Sequence, residues 1–366
     1  MSSPPDPAQG KIAAIQAARA IAALTVVVVH LTSGFAYHID GRLTLGETGS
    51  QLASGSVALF FMISGAVMVL SAERLFGTAG GMVTFWRRRM VRILPPYWIC
   101  TFLLLGVAMW IGLPYSAREV ASSLVFVPQP HPAGPWSFKV FLWPGWTLFY
   151  ELVFYAVFGA CVILGRVRAV LAASVVLAAL VVIGREITLD TLGLHAATRP
   201  VLLLFVPGMA IGLLLHRGFA LPGWLRWASL AAALAALVVL DHPERSDFYN
   251  FGYLWWAGVP ALLVLLATVG GPLRLAETGP SLALGDASYA IYLLHIPFAH
   301  AWMQVFNVWL PHPGGSLAYL GLGLPMLIAL SLGFYRYIER PTTDRLNALL
   351  GGRPISQQSL DRSIAP

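Results

Sequence analysis

The chain alternates long apolar runs with shorter polar segments. A run of about 20 mostly apolar residues can cross a bilayer as a helix, whereas open strand edges cannot satisfy their hydrogen bonds in lipid. Ten such runs occur, at residues 12–33, 54–72, 93–113, 146–164, 167–184, 199–216, 224–241, 254–270, 283–310 and 317–338. The ninth run contains Pro297 and Pro311, which predict a kinked or split helix. The pattern therefore predicts an all-α fold, a polytopic transmembrane helical bundle of about ten spans.

Lysine and arginine are distributed unevenly between alternate polar segments. If the N-terminus is cytoplasmic, 16 of the 23 Lys and Arg residues lie on the cytoplasmic side, six lie outside, and Arg19 lies within the first run. Cytoplasmic loops of membrane proteins carry the excess of positive charge. The bias predicts an even number of spans, with both termini cytoplasmic.

The composition agrees with a membrane protein and narrows the alternatives. Charged residues make up 11% of the chain and the mean hydropathy is +0.74, whereas a soluble domain carries about 25% charged residues. The net charge of +7 comes from alternating loops rather than one basic patch, so we expect no nucleic-acid partner. Cys100 and Cys161 both lie in apolar runs and predict neither a disulfide framework nor a metal site. We interpret residues 1–346 as one transmembrane domain and residues 347–366 as a polar cytoplasmic tail.

Two ionisable residues, Arg19 and His30, lie within the first run. Their separation of eleven residues is close to three helical turns, so both side chains point the same way, roughly 16 Å apart along the axis. An ionisable residue inside a membrane is costly and is a functional candidate for that reason. The alternative is that Arg19 snorkels to the inner surface and that His30 lies near the outer interface.

Four arginines precede the third run in the segment FWRRRMVRILPPYW, residues 85–98. The excess of positive charge in cytoplasmic loops explains a basic segment without any ligand. Arg89 and Arg92, however, are three residues apart and share one helical face. Guanidinium groups bind phosphates in bidentate fashion, so the spacing favours an anion site.

The fourth and ninth runs each contribute one more candidate. Glu151 lies five residues into the fourth run, at a depth similar to that of His30. A carboxylate beside an imidazole can orient it and raise its basicity; the alternative is a packing role for Glu151. His295 lies near the middle of the ninth run, where a structural role is favoured. A helix broken at Pro297 would free backbone carbonyls to meet a ligand.

Six segments together resemble the acyltransferase-3 family of membrane acyltransferases, and the resemblance covers about residues 12 to 346. The segments are IQAARAIAALTVVVVH, GSVALFFMISGAVMV, FWRRRMVRILPPYW, GWTLFYELVFY, LGDASYAIYLLHIPF and YIERP. The form GWTLFYE looks most like the branch that acetylates bacterial exopolysaccharides. The resemblance implies about ten spans and transfer of an acyl group, usually acetyl, from cytoplasmic acyl-CoA to an extracytoplasmic carbohydrate. Some relatives carry a fused esterase-like domain, which we do not expect here because the chain stops 26 residues after Arg340.

The resemblance also assigns site residues. The family's Arg–His pair of the first span falls on Arg19 and His30, its Arg-x-x-Arg pair on Arg89 and Arg92, and its acidic residue of the fourth span on Glu151. We expect Arg89 and Arg92 to hold the phosphates of acyl-CoA (acetyl-CoA), the co-substrate, and Arg19 to guide its pantetheine arm. His30, oriented by Glu151, would act as general base on a sugar hydroxyl. An acyl-histidine intermediate is the alternative route.

Acceptor-binding candidates lie near the outer end of the fourth span. Residues 114–145 form a long segment rich in Pro and Trp, and loops of that length are often functional. Trp136, Trp143, Trp146 and Tyr150 could stack on sugar rings, and His295 could contact the acceptor. The aromatic belt found at membrane interfaces explains most of these aromatic residues more simply.

The expected protein is an O-acyltransferase of the bacterial cytoplasmic (inner) membrane that acts on a glycan or lipid-linked glycan such as an exopolysaccharide. Proteins of polysaccharide synthesis or export are candidate partners. Two alternatives come from other classes: a transporter or flippase, and a non-enzymatic membrane component of polysaccharide export. A transporter would predict broken helices at matched positions of two halves, and the sequence contains no such repeat. A non-enzymatic component would not need His30.

Overall fold

The computed structural model describes residues 7–38, 45–131, 134–187, 189–240, 250–271, 277–309 and 315–351, and it is almost entirely helical. The α-helices are α1 (Pro7–His38), α2 (Gly46–Ser71), α3 (Gly81–Ile111), α4 (Ala117–Leu124), α5 (Gly145–Cys161), α6 (Arg166–Glu186), α7 (Leu192–Ala196), α8 (Phe205–His216), α9 (Gly223–Val239), α10 (Val259–Val269), α11 (Gly279–Asp286), α12 (Ser288–Trp309), α13 (Gly315–Phe334) and α14 (Arg340–Leu349). A 3₁₀ turn at Pro200–Leu204 precedes α8, and π-helical turns at Leu254–Gly258 and Tyr335–Glu339 precede α10 and α14.

The predicted transmembrane helical bundle is confirmed. Within the described residues, six helical segments are long and apolar enough to cross a membrane, and a seventh qualifies if α11 and α12 form one bent span. Shorter apolar helices at Gly145–Cys161, Gly223–Val239 and Leu254–Val269 occupy three further predicted runs. The number of ten spans and the cytoplasmic placement of both termini stay predictions.

The ninth predicted run breaks at a different place from the one expected. Helices α11 and α12 meet at an angle of 63°, at Ala287, whereas Pro297 lies inside the continuous helix α12. Proline has no N–H, so the carbonyl of Leu293 loses its helical partner. Neighbouring helices make a proline tolerable within a membrane helix, and α12 packs against α1, α3 and α13. The prediction of a break at Pro297 is therefore wrong, and Pro311 lies outside the described residues.

The segment between α3 and α5 contains secondary structure that the apolar pattern did not predict. Helix α4 begins with a capping box, in which Ser116 accepts a hydrogen bond from the Glu119 N–H and Glu119 accepts one from the Ser116 N–H. Strands β1 (Gln129–His131) and β2 (Gly134–Lys139) then form an antiparallel hairpin. The all-α class holds for the bundle, with this hairpin as an addition at one end.

Helices α2 and α8 pack closely because glycines lie at their contact. A Cβ atom on Gly65 would lie 2.4 Å from the Phe205 carbonyl oxygen, and one on Gly208 would lie 2.0 Å from the Met62 carbonyl oxygen. Small residues allow helix backbones to approach each other where no hydrophobic effect drives association. The contact fixes the position of α2, including Ser64, which precedes Gly65.

Large apolar side chains cover the outside of the bundle. Trp227 of α9 is 74% exposed and Val238 is 83% exposed. An apolar surface of this extent is unusual on a soluble monomer and suits contact with lipid. The core is aromatic where α2, α5 and α8 meet, with the rings of Phe154 and Phe205 stacked 4.1 Å apart.

Candidate active site

A cavity of about 100 Å³ lies inside the bundle, between α1, α2, α3, α5 and α12. Its polar lining residues are Arg19, Ser64, Arg89, Arg92, Thr147, Glu151, Tyr155, Ser288, Tyr289 and Tyr292. We call it the arginine cavity. The ionisable groups come from α1, α3 and α5, which are far apart in sequence but adjacent here.

Three guanidinium groups line the arginine cavity. Arg89 is buried, donates a hydrogen bond of 2.6 Å to Ser71 Oγ, and has its guanidinium carbon 5.6 Å from the ring centroid of Phe85. Within the described parts of the chain, Arg19 and Arg92 make no hydrogen bond and no ion pair. The structure thus brings together the three arginines that the sequence singled out. Their role in binding the donor stays a prediction.

Glu151 supplies a negative charge to the same cavity. Its Oε1 atom accepts a hydrogen bond of 2.7 Å from Ser64 Oγ, which lies 3.4 Å from the Tyr155 hydroxyl. The carboxylate interacts electrostatically with Arg19 and Arg89. Glu151 therefore acts as a counter-charge to the arginines in this structure.

Glu339 is a second acidic residue near these arginines, and the sequence analysis missed it as a site residue. It lies in the π-helical turn before α14, is 5% exposed, and interacts electrostatically with Arg92 and Arg19. Its Oε2 atom has no hydrogen-bond partner among the described residues. The signal was available, because a carboxylate next to an apolar helical run is itself a functional candidate.

His30 pairs with His295 rather than with Glu151. The Nδ1 atom of His30 lies 2.8 Å from Nε2 of His295, and the two rings are nearly parallel at 19° with centroids 5.0 Å apart. The described residues include no hydrogen bond between His30 and Glu151. The expectation that Glu151 orients His30 is therefore not met by the geometry, because His30 pairs with His295 of α12 and Glu151 accepts its hydrogen bond from Ser64 of α2.

The hydrogen bonds fix the tautomers of both histidines when the rings are neutral. His295 Nδ1 lies 2.7 Å from the carbonyl oxygen of Tyr292, which can only accept, so His295 Nδ1 carries the proton. His295 Nε2 then has a lone pair and accepts from His30 Nδ1–H. The Nε2 atom of His30 is left with a lone pair. His295 is buried, whereas His30 is partly accessible.

Tyr292 connects the histidine pair to the arginine cavity. Its side chain lines the cavity, with its hydroxyl 3.0 Å from Thr147 Oγ1, and its backbone carbonyl binds His295. On α1, His30 follows Arg19 by eleven residues on the same face. The two histidines thus lie next to the cavity, beyond Tyr292 and towards the C-terminal end of α1.

The predicted acceptor-stacking residues are mostly parts of the core. Trp146 and Tyr150 are buried and pack against each other and against Phe61. This placement matches the packing alternative, and their role in binding an acceptor stays a prediction. Trp143 is 43% exposed. Trp136 belongs to β2, and its side chain lies outside the described residues.

A second cavity, of about 280 Å³, lies between the end of α3, the β1–β2 hairpin and α12. We call it the hairpin cavity. Its lining residues are Leu104, Ala108, Leu113, Pro114, Glu119, Gln129, Lys139, Val140, Phe141 and His300. Lys139 and Glu119 form an ion pair in its wall, and the hydrogen bond from Lys139 lowers the pKa of Glu119. Among the described residues, no group of three His, Cys, Asp or Glu side chains could hold a metal ion.

Comparisons with known proteins identify the family of the chain. A family model described as an acyltransferase domain matches residues 12–336. The exopolysaccharide production protein ExoZ of Rhizobium meliloti (strain 1021) is 31% identical over 333 residues, which cover 84% of this chain and 97% of that protein. Acyltransferase MdmB of Streptomyces mycarofaciens is 29% identical over 342 residues, 82% of this chain and 80% of that protein. No solved structure gives a significant match. The chain belongs to the acyltransferase-3 family and is a multi-pass membrane acyltransferase.

Proposed function

We propose that this protein transfers an acyl group, acetyl in the usual case, from cytoplasmic acyl-CoA to a hydroxyl of an extracytoplasmic glycan. The observation that carries the proposal is the arginine cavity, where Arg19, Arg89 and Arg92 meet inside an apolar bundle. Acyl-CoA is the co-substrate, and the site is expected in the bacterial cytoplasmic membrane. The relative ExoZ supports a glycan acceptor, because it is named as an exopolysaccharide production protein.

The charge balance of the cavity favours an anionic ligand. Three guanidinium groups outnumber the one lining carboxylate, Glu151, and the neighbouring Glu339. Hydrogen bonds to charged groups are worth about 1.5–3 kcal/mol each. A volume of about 100 Å³ suits one anionic group or a slender arm rather than a whole nucleotide. We infer that the phosphates of acyl-CoA bind at Arg89 and Arg92 and that the pantetheine arm extends past Arg19 towards His30.

His30 is the general base of the proposed reaction. Its Nε2 lone pair takes the proton from the acceptor hydroxyl, and the oxygen attacks the thioester carbonyl carbon. The tetrahedral intermediate then expels the CoA sulfur as the C–S bond breaks, and the proton on His30 passes to that sulfur. The products are the acylated glycan and free CoA. Atoms and charges balance in this reaction, which needs neither a metal nor a redox partner.

The test is acyl transfer from labelled acyl-CoA in membranes that contain the acceptor glycan, for the variant His30→Gln. Gln keeps a polar side chain but cannot act as a base, so transfer should fall by about 10²- to 10⁴-fold with unchanged acyl-CoA affinity. His216→Gln is the matched control, because His216, the last residue of α8, pairs with Glu73 and lines neither cavity. It should transfer normally.

The same variant separates the enzyme from the two alternatives. Polymer that is still exported but lacks acyl groups supports acyl transfer by this chain. Loss of all export would support a flippase or a scaffold of the export machinery. Near-normal acylation by a well-expressed His30→Gln protein would contradict the proposed function.

A further inference from the structure

The histidine pair has the connectivity that a general base needs from a positioning partner. A backbone carbonyl, that of Tyr292, holds the proton on His295 Nδ1 at 2.7 Å, and a carbonyl cannot donate. His295 Nε2 can therefore only accept from the neutral His30 ring, at 2.8 Å. The chain of two hydrogen bonds leaves His30 Nε2 as the one basic nitrogen of the pair.

The surroundings of His295 make this orientation rigid. His295 is 1% exposed, and its ring lies 5.8 Å from that of Tyr292 at 44°. His30, by contrast, is partly accessible.

We propose that His295 is a positioning residue that fixes the reactive tautomer of His30; this proposal rests on the proposed function. When His30 Nε2 takes the hydroxyl proton, its Nδ1–H bond to His295 remains and stabilises the imidazolium. No other proton moves, and both protons stay on His30 until the CoA sulfur takes one. His295 itself touches neither substrate.

Three substitutions of His295 separate positioning from packing. His295→Gln keeps an acceptor oxygen close to the place of Nε2. His295→Phe keeps the ring shape but has no acceptor, and His295→Asn is too short to reach His30. A positioning role predicts that His295→Gln retains more activity than His295→Phe or His295→Asn. A packing role predicts instead that His295→Phe retains more activity than His295→Gln.

The measurement is kcat and KM for acyl-CoA in membranes, with protein level checked for each variant. We expect kcat of His295→Phe and His295→Asn to fall about 10²-fold or more, since holding the tautomer of a catalytic imidazole is worth up to about 10⁴ in rate. KM for acyl-CoA should stay unchanged, and His295→Gln should recover most of kcat.

The outcomes distinguish this proposal from the one on which it rests. If His30→Gln loses transfer but His295→Phe equals or exceeds His295→Gln, the positioning role is wrong and His30 remains the base. If His30→Gln transfers normally, the proposed function itself fails. If the His295→Phe protein is absent from the membrane, His295→Gln is compared with His295→Asn instead. Equal activities of these two variants would also overturn the proposal.

A second proposal rests on a different observation, the position of the hairpin cavity. Ser288 of α12 lines the arginine cavity, and His300 lines the hairpin cavity twelve residues later, roughly 18 Å further along the helix. On α3, Arg92 and Ala108 are sixteen residues apart, roughly 24 Å. The two cavities are therefore separated along both helices, and His295 falls between them on α12.

The lining of the hairpin cavity suits a polyhydroxylated ring. Phe141 offers an aromatic face, the Gln129 amide offers donors and an acceptor, and Glu119 and Lys139 place opposite charges in one wall. The volume of 280 Å³ is near the lower end for small-molecule pockets, about 300 Å³. We infer that the hairpin cavity binds a sugar unit of the acceptor; this inference also rests on the proposed function.

The test fills the cavity from its apolar wall. Ala108→Phe adds a ring at a buried position that lines the hairpin cavity, and Met109→Phe adds one next to it at a position that is 65% exposed. Ala108→Phe should raise KM for the acceptor roughly tenfold or more, with unchanged affinity for acyl-CoA. Met109→Phe should behave as the parent protein.

A further variant covers the case in which Ala108→Phe does not fold. Gln129→Ala changes only the hairpin, and it should raise KM for the acceptor as well. An unchanged acceptor KM in a folded Ala108→Phe protein, or in Gln129→Ala, would overturn the inference. The inference would also be overturned if either variant changed the affinity for acyl-CoA and kept a normal KM for the acceptor. That result would assign the cavity to the acyl donor.

Discussion

Glu151 accepts a hydrogen bond of 2.7 Å from Ser64, and this contact joins α5 to α2 at the wall of the arginine cavity. The carboxylate that was expected to orient His30 is thus committed to Ser64 and to the electrostatics of Arg19 and Arg89. Glu151 balances the positive charge of these arginines. This relationship predicts opposite effects on stability and on ligand binding.

Glu151→Gln should destabilise the ligand-free protein and strengthen its response to CoA. The amide can still accept from Ser64, but the arginines lose a counter-charge, and buried guanidinium groups without one are costly. Phosphates would then meet less negative charge in the cavity. We expect a lower Tm in detergent without ligand and a larger rise in Tm with CoA than in the parent protein.

Ser64→Ala is the matched control for Glu151→Gln. It removes the hydrogen bond but keeps the charge, so it should lower Tm without enlarging the response to CoA. A Glu151→Gln protein with a smaller CoA response than the parent would mean that the carboxylate favours donor binding directly.

Arg89→Lys should weaken acyl-CoA binding although it keeps the positive charge. The guanidinium fork of Arg89 bonds Ser71 and leaves further donors for a phosphate, which an ammonium group cannot match in geometry. The loss of one charge-assisted bond of about 1.5–3 kcal/mol corresponds to roughly tenfold to hundredfold in Kd. Binding of acyl-CoA to the purified protein is the measurement.

Arg88→Ala tests whether the effect is specific to the cavity. Arg88 precedes Arg89 on α3 but does not belong to the residues that line the arginine cavity. Its replacement should leave Kd for acyl-CoA within a few-fold of the parent value. Equal losses for Arg88→Ala and Arg89→Lys would indicate general attraction of the basic segment rather than a site.

The sequence predicted the apolar segments and the arginines of the site well, because both signals are local. Residues that are three or eleven apart on one helix share a face whatever surrounds them. The partner of His30 was not local. Counting residues from span ends gave Glu151 and His30 a similar depth, but depth does not tell which helices are neighbours, and His295 of α12 occupies that position.

The break in the ninth run shows a second limit of local rules. Proline was the strongest breaker in the segment, yet the chain bends at Ala287. Gly285 of α11 lies so close to α1 that a Cβ atom would be 2.5 Å from that of Gln16, and Gln16 Nε2 donates a hydrogen bond of 2.6 Å to Asp286. Packing between distant segments therefore sets the bend.

Gly65→Ala should destabilise the protein, because its Cβ atom would lie 2.4 Å from the carbonyl oxygen of Phe205 and would force α2 and α8 apart. Overpacking of this kind costs about 1–3 kcal/mol. Gly55→Ala on the same helix is the control, since a Cβ atom there meets nothing within 4 Å. Thermal unfolding in detergent compares the two; equal Tm values would contradict the close contact.

The orientation of the bundle can be tested at the two ends of α3. Gly80 precedes the helix next to the basic segment, and Tyr115 follows its other end at Ile111; a side chain at Gly80 meets nothing within 4 Å, and Tyr115 is 42% exposed. The positive charge predicts that Gly80 faces the cytoplasm. In a background with Cys100 and Cys161 replaced, an impermeant thiol reagent should label Tyr115→Cys in intact cells. Gly80→Cys should react only after permeabilisation. The reverse pattern would place the arginine cavity on the outer side, where cytoplasmic acyl-CoA could not reach it, and would overturn the proposed function together with the orientation.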